Sequence, residues 1–227
     1  PSLMTGEATP SYLLGGEMVA ARMAALAPEA RLIVTLREPI ERAYSHFRMC
    51  VDTRGSAQQL ANRGHEHVKG RDFASIVAED LDALRKAGVT DSAGDLENEC
   101  TQPFEVSYSH RHPGGEQPSH GAHSFVGRGL YAAQLRPWLR HFPAEQIMVV
   151  TLDQLSTPDR LETTMRRVYA FVGLPPSQQA LSDCLASGPS NARPAEEPLD
   201  EHIREKMREF YAPHNQALQV MLTQYGH

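Results

Sequence analysis

The chain has few cysteines, no long hydrophobic run and no surplus of positive charge, and each shortage excludes a class of protein. Three cysteines in 227 residues, Cys50, Cys100 and Cys184, are too few for a disulfide-stabilised scaffold. One disulfide remains possible, and the sequence gives no basis for choosing which two cysteines would form it. No apolar run approaches the roughly 18 residues of a membrane span. The net charge of −6 argues against a nucleic-acid-binding protein, which would carry a basic surface.

What the chain does have is the content of an ordinary globular protein. Its 227 residues, 41% of them hydrophobic, predict a single domain that spans 1–227. Residues 92–124 are rich in Gly, Pro, Ser and His, a composition that predicts a surface-loop insertion. Elsewhere the apolar residues recur with regular spacing, so the rest of the chain is expected to fold into regular secondary structure.

Two short apolar segments predict strands and lie among helical segments. Residues 31–36 are apolar after the first position, apart from Thr35, as in a parallel strand covered on both faces, and 146–152 is the second strand. Apolar spacing and helix-end signals predict helices at 13–26, 39–51, 72–86, 129–142, 158–173 and 200–225, with a polar loop at 53–70. Pro137 and Pro213 predict a kink or break in two of these helices. This order favours an α/β fold with a parallel sheet.

The most informative stretch is RLIVTLREPIERAYSHF, residues 31–47. It places Arg37 at the carboxyl end of the first strand and Pro39 at the start of a helix, where ligands bind in open α/β sheets. Arg offers planar donors for phosphate, and a helix amino terminus adds positive potential. Alternatively, Arg37 pairs with Glu38 or Glu41. Arg42 is open to two interpretations, an anion contact or a structural ion pair.

This stretch resembles the 3′-phosphate-binding segment of Golgi-type carbohydrate sulfotransferases, which use 3′-phosphoadenosine 5′-phosphosulfate (PAPS). The resemblance continues through GEATPSYL, GRGLYAAQLRPWLRHFPAEQIMVVTLDQL, SNARP and REFYAPHNQAL, and so covers most of the chain. Within the family, the sequence resembles the sulfotransferases that act on N-acetylgalactosamine 4-sulfate.

The resemblance implies a P-loop NTPase-like three-layer fold with a central parallel sheet. Members of the family begin with a strand, a phosphate-binding loop and a helix, and no G-x-x-x-x-G-K-[ST] loop occurs in this sequence. The resemblance therefore predicts a sulfotransferase domain that is truncated at its amino terminus and lacks the first strand and the phosphate loop. Such truncation would leave the isolated chain inactive.

The resemblance also implies site residues. Arg37 and Ser45 correspond to the family's 3′-phosphate ligands, and Arg193 in SNARP corresponds to a loop that closes over the cofactor. Glu7 matches an acidic residue close to the acceptor and is the candidate catalytic residue of this chain. The family often has Lys where Asn191 stands, so any charge supplied by that Lys is missing here. The general base and a phosphate-loop Lys are expected upstream of the chain.

The implied function is transfer of the sulfuryl group of PAPS to a sugar hydroxyl of a glycan, with a galactosaminoglycan as the first choice of acceptor. The expected cofactor is PAPS without a metal ion, and the expected partner is a glycan, with no nucleic acid and no membrane contact by this chain itself. The expected compartment is the Golgi lumen behind an upstream anchor, or the cytoplasm for a bacterial protein. The alternatives are a non-catalytic nucleotide- or glycan-binding module of the same fold, and another P-loop transferase such as a small-molecule kinase.

Two further sets of residues favour structural interpretations. Tyr131 and Trp138 offer rings for stacking with adenine, but at helical spacing such residues more often belong to the core. The histidines have zinc-like spacing but lie in Gly-containing segments without a cysteine at standard spacing, which argues against a metal site; they are His65, His67, His110, His112, His120 and His123.

Overall fold

The computed structural model describes residues 5–86, 88–89, 124–187 and 198–226, which form a helix-rich α/β structure. The helices are α1 (Gly16–Leu26), α2 (Pro39–Val51), α3 (Ala57–Arg63), α4 (His65–Val68), α5 (Phe73–Lys86), α6 (Tyr131–His141), α7 (Pro158–Val172), α8 (Gln178–Ser187) and α9 (Glu201–Gln224). The strands are β1 (Leu32–Leu36) and β2 (Ile147–Thr151), and short 3-10 turns precede α1 and α6 and flank β2.

The two strands pair in parallel, as the sequence predicts, and run from Leu32 opposite Ile147 to Leu36 opposite Thr151. Gln146 fixes the start of this register. Its side-chain amide donates hydrogen bonds to the carbonyls of Pro28 (2.8 Å) and Ala30 (3.0 Å), just before β1. The entries of the two strands therefore lie level, and so do their carboxyl ends.

Burial of β1 differs from the prediction. Strand β2 is buried from Ile147 to Val150, but β1 alternates, with Leu36 buried and Ile33 43% exposed. The expectation that β1 is covered on both faces is wrong for the part of the chain that the structure describes. An apolar strand sequence is compatible with burial on both faces, but burial also requires neighbouring elements that pack on each face.

The buried side chains form two apolar clusters. The first joins α2, α4, α5, the segment before α6 and the middle of α9, and its largest members include Phe47, Phe125 and Phe210. The second joins α1, both strands, α6 and the end of α9, and includes Leu36, Tyr131 and Trp138. Because α9 contributes to both clusters, it packs beside α2 and beside α6.

Residues 124–129 cross between these clusters and are fixed by side chains from several helices. The Asp80 carboxylate on α5 is fully buried and accepts hydrogen bonds from the Ser124 hydroxyl (3.0 Å) and the Val126 N–H (2.9 Å). The Tyr211 hydroxyl on α9 donates to the Val126 carbonyl at 2.7 Å. Gln134 on α6 donates to the Arg128 carbonyl at 3.0 Å. A segment without long regular structure is thus positioned by buried polar contacts.

Both prolines lie inside helices that continue past them. Pro137 falls within α6 and Pro213 within α9, so the break predicted for the last helix is wrong. A helical proline removes one N–H donor. In α9, Phe210 and Tyr211 before Pro213 and His214 after it are buried, so packing on both sides stabilises the helix through the proline.

Three other helices lie where the sequence analysis predicts none. Helices α3 and α4 occupy the predicted loop at 53–70, where Ser56 and Gln59 form a capping box and the His65 Nδ1 lies 2.8 Å from the Cys50 carbonyl. Helix α8 follows the left-handed Gly173 that ends α7. These helices are short, and their contacts with neighbouring elements are not visible in a local pattern.

Other expectations concern single features. Within the described ranges, no helix is long and apolar enough to cross a membrane. Cys50 is buried, Cys184 is exposed, and no disulfide joins them. Cys100 and the predicted loop insertion up to residue 123 lie outside the described residues.

We expect Asp80→Ala to lower the free energy of unfolding by about 3 kcal/mol, because it leaves the buried Val126 N–H and Ser124 hydroxyl without their acceptor. Urea unfolding measures the change. Asp82→Ala is the matched control, since Asp82 is exposed on the same helix and its partner among the described residues is the exposed Lys86. It should change stability by less than about 0.5 kcal/mol. Equal effects of the two variants would contradict the importance of the buried contacts.

A second expectation concerns pH. The hydrogen bond from His141, with that from Arg140, holds the pKa of Glu17 below its usual range and joins α1 to α6. A lowered carboxyl pKa stabilises the folded state above the ordinary value near 4.5, and this contribution is lost as the pH falls through the folded pKa.

We therefore expect Glu17→Gln to destabilise the protein at pH 7, by less than about 1 kcal/mol because the site is partly exposed. The difference from wild type should shrink below pH 4 in urea unfolding. Glu145→Gln, at an exposed position, is the control and should be neutral at both pH values. A difference that grows on acidification would contradict the assignment.

Candidate functional site

The turn between β1 and α2 carries the main candidate residues. Glu38 is the N-cap of α2, and its carboxylate accepts a hydrogen bond from the Glu41 N–H at 2.7 Å. Pro39 occupies the first helical position, where no N–H donor is needed. This local chemistry starts the helix immediately after Arg37. The arginine therefore lies between the carboxyl end of a strand and the amino terminus of a helix, as the sequence predicts.

Arg37 is half-buried, and both carboxylates that were expected to compete for it are engaged elsewhere. Glu38 caps its own helix, and Glu41 forms an ion pair with Arg204 of α9, with Nη1 and Oε1 2.7 Å apart. Among the described residues, no hydrogen bond or ion pair involves the Arg37 guanidinium. The alternative in which Arg37 pairs with Glu38 or Glu41 is therefore wrong, and the guanidinium is available to an anion.

Ser45 lies eight residues after Arg37, in the middle of α2, and is half-buried. In the part of the chain described, its hydroxyl makes no hydrogen bond. Helical rise places it about 9 Å along the axis from Pro39. The site thus contains one cation and one hydroxyl on consecutive elements, both without protein partners in that part of the chain.

Arg42 has a structural contact. Its Nη2 donates a hydrogen bond to the carbonyl of Phe125, which joins α2 to the 124–129 segment. Neither open interpretation of Arg42, an anion contact or an ion pair, describes this contact. The contact between Arg42 and the Phe125 carbonyl could not be predicted from the sequence, because Phe125 is distant from Arg42 in the chain and lies outside any recognisable helix or strand.

Tyr131 lies behind the Arg37 turn, in the first position of α6. It is only 6% exposed, and its hydroxyl donates a hydrogen bond to the backbone carbonyl of Arg37 at 2.8 Å. Burial raises the pKa of Tyr131, so the hydroxyl remains protonated and continues to donate. Trp138 is equally buried and stacks on Phe142 at 6.1 Å between ring centroids. The core interpretation of Tyr131 and Trp138 is confirmed.

Gly129 brings the 124–129 segment into direct contact with the same turn. A Cβ atom at this position would lie 2.8 Å from the Cβ of Pro39 and 2.6 Å from the Tyr211 hydroxyl. No side chain larger than hydrogen fits without a shift, since real Cβ atoms do not approach so closely. The glycine therefore allows the segment to pack against the first residue of α2.

Glu7 is exposed and accepts a hydrogen bond from the Tyr12 hydroxyl, which raises the pKa of Tyr12. Tyr12 packs against the cluster that contains Leu36 and Tyr131. Through Tyr12, Glu7 is linked to the cluster beneath the carboxyl end of β1. Among the described contacts, none joins Glu7 directly to Arg37 or Ser45.

Arg193 lies outside the described residues, which resume at Pro198. The next residue, Leu199, is buried in the same cluster as Ile40, and Arg204 pairs with Glu41. The described chain therefore resumes close to the first turn of α2.

Metal ligands do not assemble in the described ranges, which contain no group of three or more His, Cys, Asp or Glu side chains that could hold a metal ion. His65 is near the Cys50 carbonyl. The remaining candidates between 110 and 123 lie outside these ranges.

Sequence reasoning missed Asp80 and assigned no contact to Tyr131. Asp80 occupies a core position of α5, between Val77 and Leu84 in the apolar spacing, and this misplaced charge is the signal that could have indicated a buried acceptor. For Tyr131 the signal is its position at a helix start, two residues after Gly129. That position does not identify the carbonyl of Arg37.

Known proteins resemble the chain in sequence, although no model of a protein family matches it. Heparan sulfate glucosamine 3-O-sulfotransferase 3B1 of Mus musculus is 25% identical over 239 residues, which cover 96% of this chain and 48% of the relative. Carbohydrate sulfotransferase 15 of Mus musculus is 28% identical over 203 residues, which cover 87% of this chain and 31% of the relative. The chain spans about half, or less, of the length of these curated relatives.

A solved structure resembles the fold. The sulfotransferase from Alicyclobacillus acidocaldarius superposes with a TM-score of 0.60 at 19% identity, and the match covers 98% of this chain and 67% of that chain. The sequence and structure comparisons agree with the family resemblance of the sequence. The chain is a homologue of the carbohydrate and heparan sulfate sulfotransferases and has the P-loop-like α/β fold of a sulfotransferase.

Proposed function

We propose that this protein transfers the sulfuryl group of PAPS to a sugar hydroxyl of a glycan, and that Arg37 and Ser45 bind the 3′-phosphate of the cofactor. The observation that carries the proposal is the state of Arg37. Its guanidinium lies at the carboxyl end of a parallel strand, without a protein partner among the described residues, while the two nearest carboxylates of its own segment contact other groups.

The residues present fit a phosphate group. The planar guanidinium of Arg37 offers paired donors to phosphate oxygens, and the Ser45 hydroxyl offers a further donor. The amino terminus of α2 adds positive potential beside them. A chain with a net charge of −6 can still bind an anion where such groups converge, because local potential decides binding.

Arg193 completes the proposed cofactor site. It stands five residues before Pro198, and a chain of this length reaches at most about 18 Å. The start of α9 lies beside α2, where Arg204 pairs with Glu41, and this supports the proposal that Arg193 reaches the Arg37 turn. Arg193 is proposed to add a second cation to the phosphates.

PAPS supplies the sulfuryl group when it is bound, and the chain's own residues orient it. Binding of the 3′-phosphate by Arg37 and Ser45 fixes the nucleotide, so that the opposite end of the cofactor points to the acceptor. Glu7 is proposed to contact the acceptor hydroxyl, where a carboxylate accepts a proton or orients the sugar. The hydrogen bond from Tyr12 sets the position of that carboxylate.

The proposed acceptor is a galactosaminoglycan, and the proposed compartment is the Golgi lumen. The support is the resemblance of the sequence to Golgi-type sulfotransferases of N-acetylgalactosamine 4-sulfate. The curated relatives include heparan sulfate enzymes as well as a carbohydrate sulfotransferase. Heparan sulfate is therefore the acceptor against which a galactosaminoglycan should be compared in transfer assays.

We expect 3′-phosphoadenosine 5′-phosphate to bind the wild-type chain, and Arg37→Ala to weaken this binding about tenfold to a hundredfold because a charge-assisted hydrogen-bond pair is lost. Ser45→Ala should weaken it about tenfold or less. Isothermal titration calorimetry measures both. Adenosine 5′-monophosphate, which lacks the 3′-phosphate, should bind wild type and Arg37→Ala alike.

Arg22→Ala is the matched control, because it removes an arginine that is exposed on α1 and should leave binding unchanged. If Arg37→Ala bound the bisphosphate as wild type does, the 3′-phosphate assignment would be wrong. A loss of equal size for the monophosphate would place Arg37 at another part of the nucleotide.

Turnover separates the enzyme from a binding module. With sulfate-labelled PAPS, we expect label to enter desulfated chondroitin more than desulfated heparan sulfate, in the chain or in a longer form of the protein that contains it. Preferential labelling of heparan sulfate would reverse the choice of acceptor. Nucleotide binding without labelling of any glycan, in every form tested, would support the non-catalytic module instead.

A further inference from the structure

Tyr131 contacts the backbone of Arg37, the residue with the central role in the proposed site. Its ring is buried in the cluster shared by α6 and the strands, and its hydroxyl donates a 2.8 Å hydrogen bond to the Arg37 carbonyl. A rigid aromatic ring anchored in the core thus contacts the one residue between the end of β1 and the N-cap of α2.

The Arg37 turn has little other support at this point. The Glu38 carboxylate is used to cap the helix, and the carbonyl of Glu38 accepts the first helical hydrogen bond, from the Arg42 N–H at 2.9 Å. These contacts fix the turn from Glu38 onwards. The carbonyl of Arg37 lies before them, and among the described contacts its hydrogen-bond donor is the Tyr131 hydroxyl.

From these contacts we infer that Tyr131 is a positioning residue for anion recognition: it fixes the peptide plane that follows Arg37 and so directs the guanidinium into the 3′-phosphate site. The inference rests on the proposed function. Tyr131 does not touch the ligand; it acts through Arg37. Loss of its hydroxyl frees one peptide unit of the turn to rotate, and a guanidinium on a mobile backbone binds less tightly, because its freedom is lost on binding.

The structure provides a matched control in Tyr211. It too is a buried tyrosine whose hydroxyl donates to a backbone carbonyl, that of Val126 at 2.7 Å, and Val126 is not part of the Arg37 turn. Tyr131→Phe and Tyr211→Phe therefore remove the same chemical group from the same kind of bond. They differ in whether the carbonyl that loses its donor belongs to Arg37.

Calorimetry with 3′-phosphoadenosine 5′-phosphate as the probe tests the inference. The proteins compared are wild type, Tyr131→Phe, Arg37→Ala and the double variant, with Tyr211→Phe as the control. We expect Tyr131→Phe to weaken binding about fivefold and to leave adenosine 5′-monophosphate binding unchanged, whereas Tyr211→Phe leaves both unchanged. In the Arg37→Ala background, Tyr131→Phe should have no further effect, since it acts through that side chain. Thermal unfolding should show comparable destabilisation of the two tyrosine variants. Sucrose added to all samples keeps both folded during titration.

The outcomes separate the inference from the function. If Arg37→Ala weakens bisphosphate binding but Tyr131→Phe does not, Tyr131 is structural and the inference is overturned. Equal weakening by Tyr211→Phe, or an undiminished effect of Tyr131→Phe in the Arg37→Ala background, also overturns it, because general destabilisation then explains the loss. If Arg37→Ala itself has no effect, the proposed function fails, and the inference fails with it.

Discussion

The fully buried carboxylate of Asp80 is the contact on which the position of the 124–129 segment depends, and with it the packing of the helices around that segment. A charge without solvent is tolerated only where hydrogen bonds replace hydration, and Asp80 obtains them from Ser124 and Val126. These hydrogen bonds fix the path of the 124–129 segment, although the segment is distant from α5 in the sequence. The segment is irregular and could not hold its position by local structure alone.

From this fixed segment, contacts extend to both sides of the Arg37 turn. Gly129 packs against Pro39 at the start of α2. One helical turn after Pro39, the Arg42 side chain donates a hydrogen bond to the Phe125 carbonyl. Tyr131 follows the segment directly and reaches the Arg37 carbonyl. The backbone around Arg37 is therefore positioned by buried groups, while no described residue pairs with the guanidinium. Such pre-organisation lowers the entropy that anion binding costs.

The sequence predicted the parts of the fold that local chemistry controls. The strand before Arg37, the Pro39 helix start and the parallel pairing follow from apolar runs, proline chemistry and chain order. The partners of Arg42 and Tyr131 did not follow, because each contact joins residues that are more than eighty positions apart. The continuity of α9 through Pro213 depends on tertiary packing, which overrides the local preference of proline.

Engagement of the neighbouring charges distinguishes Arg37 from the other arginines near it. Arg42 binds a carbonyl, and Arg204 neutralises Glu41. Each of these contacts removes a group that would otherwise compete for an anion or for Arg37. In an acidic chain, an arginine followed closely by two glutamates of its own segment would ordinarily be neutralised by them. Here helix capping uses one glutamate and α9 uses the other, so the folding of α2 and its packing against α9 leave the Arg37 guanidinium without a partner among the described residues, as the proposed function needs.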